Sequence, residues 1–194
     1  VTDHFDLSAS STYDYRFGKK LSQTDTNGNT LSYTLDKFGR IKTVTGPYQQ
    51  GTGHNTITFE YRPEEFPAYA ITRHYDRFRD SSGNDTIDTV LFTDGVKRVL
   101  QTKKDASIYT GGSVDHKKMI VSGRVMYDAL GRSVEQYQPQ HEGKGSAEIF
   151  NGDFNPNGYV TKTVYDALDR TLDVELPDGS TTSTRYALDN DPPG

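Results

Sequence analysis

Tyr127-Asp128-Ala129-Leu130-Gly131-Arg132 is the stretch that decides how this chain folds, because it recurs. Tyr165-Asp166-Ala167-Leu168-Asp169-Arg170 follows the same plan with Asp169 in the glycine position, and Leu35-Asp36-Lys37-Phe38-Gly39-Arg40 follows it with leucine in place of tyrosine. Fainter versions are Tyr75-Asp76-Arg77-Phe78-Arg79, which lacks the glycine, and Phe17-Gly18-Lys19, which keeps the aromatic, the turn residue and the base. Phe92-Thr93-Asp94-Gly95-Val96-Lys97-Arg98 reads as a variant with altered spacing. Such recurrence marks a repeat protein, in which each unit is too small to bury its own face and leans on its neighbours.

The pattern has a physical reason. Tyrosine within the local alternation (Val125, Tyr127; Val164 beside Tyr165) suits a half-buried strand. The aspartate can accept from backbone N–H groups two residues on and so start a turn. Glycine permits the positive φ that closes it, and aspartate at 169 tolerates that region better than most residues. Arg40, Arg132 and Arg170 each lie four residues after the aspartate, so the two charges face each other across the turn. The following segment recurs as well: Tyr13 leads to Tyr33 past Asp25-Thr26-Asn27-Gly28-Asn29, and Tyr165 to Tyr186 past Pro177-Asp178-Gly179. Repeat-like units therefore fall near 13–47, 75–103, 123–139 and 162–189, within a single domain spanning 1–194.

Working outward, Lys20 to Thr24 and Thr30 to Leu35 flank Asn27-Gly28, a strong hairpin signal, and Arg40 to Val44 begins a further strand. Ile57, Phe59 and Tyr61 alternate with Thr58 and Glu60, and Tyr69, Ile71 and Arg73 continue the alternation beyond the interruptions at Pro63 and Pro67. Asp80-Ser81-Ser82-Gly83-Asn84 is a turn cluster, and 88–93 and 96–103 make a hairpin at Asp94-Gly95. Strands are expected at 119–127, 133–137, 159–165, 171–176 and 180–186. Residues 1–12 read as a lead-in, 47–55 and 138–152 as loops, and 104–118 as a loop or irregular insertion because no period is visible. No helical apolar stripe of useful length occurs, so the expectation is an all-β chain of antiparallel hairpins forming a curved sheet.

Only 32% of the 194 residues are hydrophobic and the mean hydropathy is −0.79, so the core must be lean. The 13 tyrosines and 9 phenylalanines are expected to do much of the burying. With 22 basic against 27 acidic residues there is no basic footprint for a phosphate backbone, which argues against nucleic acid as a partner. Cysteine is absent, which excludes disulfides and thiol chemistry. No apolar run is long enough to span a bilayer as a helix, and a chain that begins at Val1 is read as a segment of something longer.

The three full copies, together with Thr24-Asp25-Thr26-Asn27-Gly28-Asn29 and Asp94-Gly95-Val96-Lys97-Arg98-Val99-Leu100-Gln101-Thr102-Lys103, resemble the YD repeats of the Rhs family. Such repeats also occur in the B and C components of insecticidal toxin complexes, in related plasmid virulence proteins and in animal teneurins. The resemblance spans most of 13–189, and the 94–103 stretch looks most like the toxin-complex B branch. It implies an arc of an Rhs-type β shell, belonging to a large secreted or surface-exposed bacterial protein and enclosing a toxin region. The implied partners are neighbouring repeats and an enclosed toxin polypeptide. The teneurin likeness implies the alternative of a module that binds cell-surface glycans or receptors.

Candidate chemical sites reduce to structure. Asp153-Phe154-Asn155-Pro156-Asn157-Gly158 opens like a calcium loop, but its twelfth position is Val164 rather than the bidentate glutamate, and Pro156 stiffens it. Asp25, Asn27 and Asn29 are what any Asn-Gly hairpin loop displays. His4, His54, His74, His116 and His141 have no zinc spacing and are expected in solvent. No nucleophile elbow or phosphate loop is present, so neither enzyme activity nor a metal or other cofactor is expected. Asn84-Asp85-Thr86 is a glycosylation sequon, usable only in a eukaryotic secretory pathway. Asp191-Pro192-Pro193-Gly194 resembles the end of Rhs cores without the surrounding core-end sequence, so no catalytic residue is carried over; Tyr186-Ala187-Leu188-Asp189 compares better with Tyr33-Thr34-Leu35-Asp36, the start of a further repeat. The named motif residues are Leu35, Asp36, Gly39, Arg40, Tyr127, Asp128, Gly131, Arg132, Tyr165, Asp166 and Arg170, all structural. Open sheet edges are expected either to self-associate or to be covered by the loops 47–55, 104–118 and 138–152, with Lys117, Lys118 and Lys144 discouraging strand addition.

Overall fold

The computed structural model describes residues 2, 4, 7–77, 86–152 and 159–186. These are nearly all strand, turn or loop, with no α-helix among them and no sheet closed into a barrel. The chain divides into two compact units, Val1–Val90 and Leu91–Gly194. In the first, β1 (Ser10–Asp14), β2 (Lys19–Thr24), β3 (Thr30–Leu35), β4 (Ile41–Thr45), β5 (Ile57–Arg62) and β6 (Ala68–Tyr75) pair antiparallel, each with the next. β7 (Thr86–Thr93) runs through the boundary between the units.

The second unit holds β8 (Val99–Tyr109), β9 (Val114–Ser122), β10 (Val125–Tyr127), β11 (Ser133–Tyr137), β12 (Gln140–Gly143), β13 (Val160–Tyr165), β14 (Thr171–Glu175) and β15 (Thr181–Ser183). β9 pairs with β8 on one side and with β12 on the other. The remaining strands form a separate sheet in the order β10-β11-β13-β14-β15. The antiparallel hairpins and all-β class are those expected, with the hairpins of this unit divided between two sheets. The division falls at Gly123, where φ is +69° and the chain leaves β9 for β10.

Within each motif hairpin the register slips by one residue at the motif's first position. Tyr13 pairs with Lys20, Leu35 with Ile41, Tyr127 with Ser133 and Tyr165 with Thr171. The left-handed turn residue does not by itself require this slip, because β2–β3 past Gly28 (φ +80°) and β14–β15 past Gly179 (φ +83°) keep an unbroken register.

Several sequence expectations are corrected. Residues 104–118 are the ends of β8 and β9 and the turn joining them, not an irregular insertion. Burial there does not alternate strictly, the register of β8 on β9 shifts between Ala106 and Ile108, and the buried positions just before, Gln101 and Lys103, are polar, so hydropathy shows no period. The expected strand 119–127 is the end of β9 and all of β10, in different sheets. The loop 138–152 contributes β12, which pairs with the edge of β9, and a 3-10 turn at Lys144–Ser146. The lead-in ends at Ala9, because Ser10 already belongs to β1.

The core is lean, but rings do little of the filling. Among the described residues the fully buried apolar ones are Ile71 and Val90 in the first unit and Phe92, Met119 and Val121 in the second, and Phe92 alone among them is aromatic. Asp88 in the first unit and Gln101 and Lys103 in the second are buried as well. Tyr13, Tyr15, Tyr48, Tyr109, Tyr159 and Tyr186 are exposed, and Tyr61, Tyr127 and Tyr165 lie half-buried under arginines, as described below. A ring with a wet hydroxyl covers the edge of a small core better than it fills the centre. The turn cluster at 80–84, the calcium-like loop at 153–158, Asn84 and Asp85 of the sequon, Phe78 and Arg79 of the Tyr75 motif copy, and residues 187–194 lie outside the described residues.

Candidate functional site

The motif folds locally into one turn, repeated. In 36–40 the Oδ1 of Asp36 accepts from the N–H groups of Phe38 and Arg40, each at 2.9 Å, while Oδ2 accepts from Nε of Arg40 at 2.6 Å. Asp128 does the same with Leu130 and Arg132, at 2.9, 2.9 and 2.7 Å. Asp166 repeats it with Leu168 and Arg170, at 2.8, 2.9 and 2.7 Å. The backbone closes each turn, with the aspartate N–H donating to the arginine carbonyl and the N–H of Gly39, Gly131 or Asp169 donating to the aspartate carbonyl. The fourth residue has φ of +76° at Gly39, +84° at Gly131 and +61° at Asp169.

More turns share this geometry than the sequence reading separated out. The stretch read as having altered spacing has the same spacing: Asp94 accepts from Val96 N, Arg98 N and Arg98 Nε, with Lys97 at φ +68° in the glycine position. The glycine at 95 misled the reading because it stands one step after the aspartate. In 25–29 the side chain of Asn29 replaces the guanidinium on Asp25 at 3.0 Å. The first copy starts at Tyr13-Asp14 rather than at Phe17, with a turn one residue longer: Asp14 accepts from the N–H groups of Arg16 and Phe17, and its carbonyl accepts from Gly18, four residues on.

The arginines reach beyond their own turns. Arg40 lies over the ring of Tyr61 at 4.2 Å, Arg98 over Tyr127 at 4.4 Å, Arg132 over Tyr165 at 5.1 Å and Arg170 over Tyr186 at 4.2 Å. In three cases the tyrosine hydroxyl donates to the carbonyl just after that arginine: Tyr61 to Ile41 at 3.0 Å, Tyr127 to Val99 at 3.4 Å and Tyr165 to Ser133 at 3.1 Å. Tyr127 and Tyr165 are themselves motif tyrosines, so each motif in this series docks on the one before. The turns also touch directly. Arg132 Nη1 donates to the Asp166 carbonyl at 2.8 Å and to Asp169 Oδ1 at 3.0 Å. Arg98 Nη1 lies 2.9 Å from where a Cβ on Gly131 would sit, and in the first unit the Phe17 ring lies 2.6 Å from where one on Gly39 would sit. Each aspartate holds its guanidinium flat and oriented, which is what stacking on a ring needs.

The same bonds set the acidity of the carboxyls. The N–H of Arg132 is the main influence holding Asp128 below the usual carboxylate range, ahead of the opposing effect of burial, with the guanidinium and Leu130 N–H assisting; Asp166 is held low in the same way by Arg170. At Asp36 and Asp94 burial is the largest single influence and acts upward, but the N–H and guanidinium of Arg40 or Arg98 and a second N–H together outweigh it, so both are also low.

A second polar cluster lies buried in the second unit. The Nζ of Lys103, whose side chain is 1% exposed, donates to Glu142, to the Ile149 carbonyl at 2.5 Å and to the Ser146 carbonyl at 2.9 Å. Phe92 lies 5.8 Å beneath the ammonium and meets Phe150 edge-on at 5.5 Å. Gln101 holds the main chain of Asn151 at both N–H and carbonyl, and Lys144 pairs with buried Asp105 at 2.6 Å. The sequence reading missed this cluster entirely. Of the histidines, His54 stacks on Tyr75 at 5.2 Å, and His116 Nδ1 lies 2.8 Å from Ser107 Oγ, so neither is merely solvated.

No family model and no curated protein matches the sequence. Solved structures do match by fold. Over 93% of its length this chain superposes with a TM-score of 0.68 and 22% identity on a chain of the TcdB2-TccC3 crystal structure, and spans 11% of that chain. A chain of the Photorhabdus luminescens Tc holotoxin pore matches with a TM-score of 0.68 and 18% identity, 93% of this chain covering 13% of that one. TcdB2-TccC3 without its hypervariable C-terminal region gives 0.67 and 20% over the same shares. The likeness is one of fold, to about a tenth of much longer chains.

Proposed function

We propose that this chain is a non-catalytic structural repeat segment of a large secreted or surface-exposed bacterial protein, contributing wall to a shell that encloses a toxin region. What carries the reading is the docking of the motif tyrosines Tyr127 and Tyr165 on the preceding Asp–Arg turns, a device that joins repeats and offers no reactive group to a substrate. The fold shared with toxin-complex chains over 93% of this one supports it. So do the turn tips: Phe38, Val96, Leu130 and Leu168, each two residues after its aspartate, are apolar and exposed, as suits surfaces that further repeats would cover. The test is protease protection in the whole protein encoded by the parent gene. A C-terminal region that resists digestion until the repeats are unfolded is expected. A parent with no such region, or one digested as fast as the free polypeptide, overturns the proposal.

A second reading, glycan binding, has one observation in its favour. Tyr48, Gln49, Thr52, His54, Tyr75 and Arg77 line an open pocket of about 340 Å³ with the His54–Tyr75 stack in its wall, a mix of ring faces and polar groups suited to a sugar. Micromolar binding on a glycan array, lost in Tyr75→Ala, would favour it.

A further inference from the structure

We propose that Lys103 and Asn151 become joined by an amide cross-link between their side chains, formed by the chain itself with Glu142 as the proton carrier. The arrangement is that of a nucleophile, a leaving group and a base in one dry place. One oxygen of Glu142 accepts from the Lys103 amine and the other from Nδ2 of the Asn151 carboxamide, at 3.4 Å. A single carboxylate thus touches the nitrogen that would attack and the nitrogen that would leave. The Ser146 and Ile149 carbonyls fix the amine. Gln101 fixes the Asn151 backbone from both sides, accepting at 3.1 Å and donating at 3.3 Å. Phe92 and Phe150 help keep water out, and Lys103 is fully buried. Holding reactants in this way is how a slow amide exchange becomes accessible without a cofactor.

The step balances. A proton passes from the Lys103 ammonium to Glu142, the freed amine lone pair attacks Asn151 Cγ, and the Cγ–Nδ2 bond breaks as the new Nζ–Cγ bond is completed. Of the three protons first on Nζ, one stays in the new amide, one leaves with Nδ2 as ammonia and one remains on Glu142. Nothing is oxidised or reduced. A buried ion pair is replaced by a neutral amide beside a neutral acid, which removes the desolvation burden that two charges carry in such a site. The product ties β8 to the segment following β12 and closes a loop across 103–151, restraining the unfolded chain as a disulfide would in a sequence that has no cysteine. This inference is independent of the proposed function.

Intact-mass measurement of the full chain tests it. The expected result is a species lighter than the sequence mass of 21.7 kDa by one ammonia, about 17 Da, with a tryptic fragment in which Lys103 is linked to Asn151 and uncut. Asn151→Ala, which leaves the Lys103–Glu142 pair in place, and Glu142→Gln should both show the full mass for their sequences and free Lys103. Full mass in the unaltered protein, with cleavage after Lys103, overturns the proposal. So does a deficit that persists in Asn151→Ala, or one that maps to a cyclised Asn-Gly site such as Asn151-Gly152 with Lys103 free.

Discussion

Replacing Gly131 by alanine separates what the turn needs from what the stack of turns needs. At φ +84° an L residue is strained by about 1–2 kcal/mol, offset by about 0.4–1 kcal/mol because alanine restricts the unfolded chain. The added Cβ would also sit 2.9 Å from Nη1 of Arg98. That atom is the end of a long side chain and can move, but moving it disturbs the stack on Tyr127, worth about 0.5–1 kcal/mol at a site of this exposure. Gly179 is the control. It occupies the same place in the turn 176–180, at φ +83°, and a Cβ there meets nothing within 4 Å. The strain and entropy contributions cancel between the two, so Gly131→Ala should be the more destabilising by about 0.5–1 kcal/mol in urea unfolding. In an Arg98→Ala background the difference should vanish, since the two sites are coupled by contact. Equal costs at Gly131 and Gly179 in the unaltered background would refute the stacking of turns.

Gly39→Ala should cost more than Gly131→Ala, because its Cβ would meet the Phe17 ring at 2.6 Å and a ring cannot swing aside as a guanidinium can; comparison of urea midpoints checks the order. Asp36, Asp94, Asp128 and Asp166 are all more acidic than free aspartate. Their contribution is therefore complete above the unfolded aspartate value of about 3.9 and is lost as pH falls through their lower folded values. Unfolding midpoints should be level from neutral pH to about pH 5 and fall below about pH 4, with a shallower fall in Asp128→Asn. Tyr165→Phe removes the bond to the Ser133 carbonyl while leaving a ring under Arg132, so a loss of about 0.5–1.5 kcal/mol is expected; no change would mean that the hydroxyl bond adds nothing. Lys144→Met strips buried Asp105 of its 2.6 Å ion partner. It should cost about 1.5–3 kcal/mol and speed amide exchange in β12.

The local part of this architecture could be read from residue order alone. An aspartate with an arginine four places on, and glycine or another residue able to adopt positive φ between them, closes one turn wherever it occurs, because every bond involved lies within five residues. Alternation then specifies strands on both arms, and the all-β class follows. What the turns do to one another could not be read. Arg40 and Tyr61, Arg98 and Tyr127, Arg132 and Tyr165, Arg170 and Tyr186 are separated by 21, 29, 33 and 16 residues, so no period connects each arginine with its ring. Those partners are chosen by how the intervening strands pair. Of β8 only the first half lay within the strand expected over 96–103, and its inward positions Gln101 and Lys103 look like surface residues until Glu142, Asn151 and two carbonyls from the segment around 142–151 come to meet them. A buried polar side chain is identified by its partners, and tertiary structure brings these from some forty to fifty residues away.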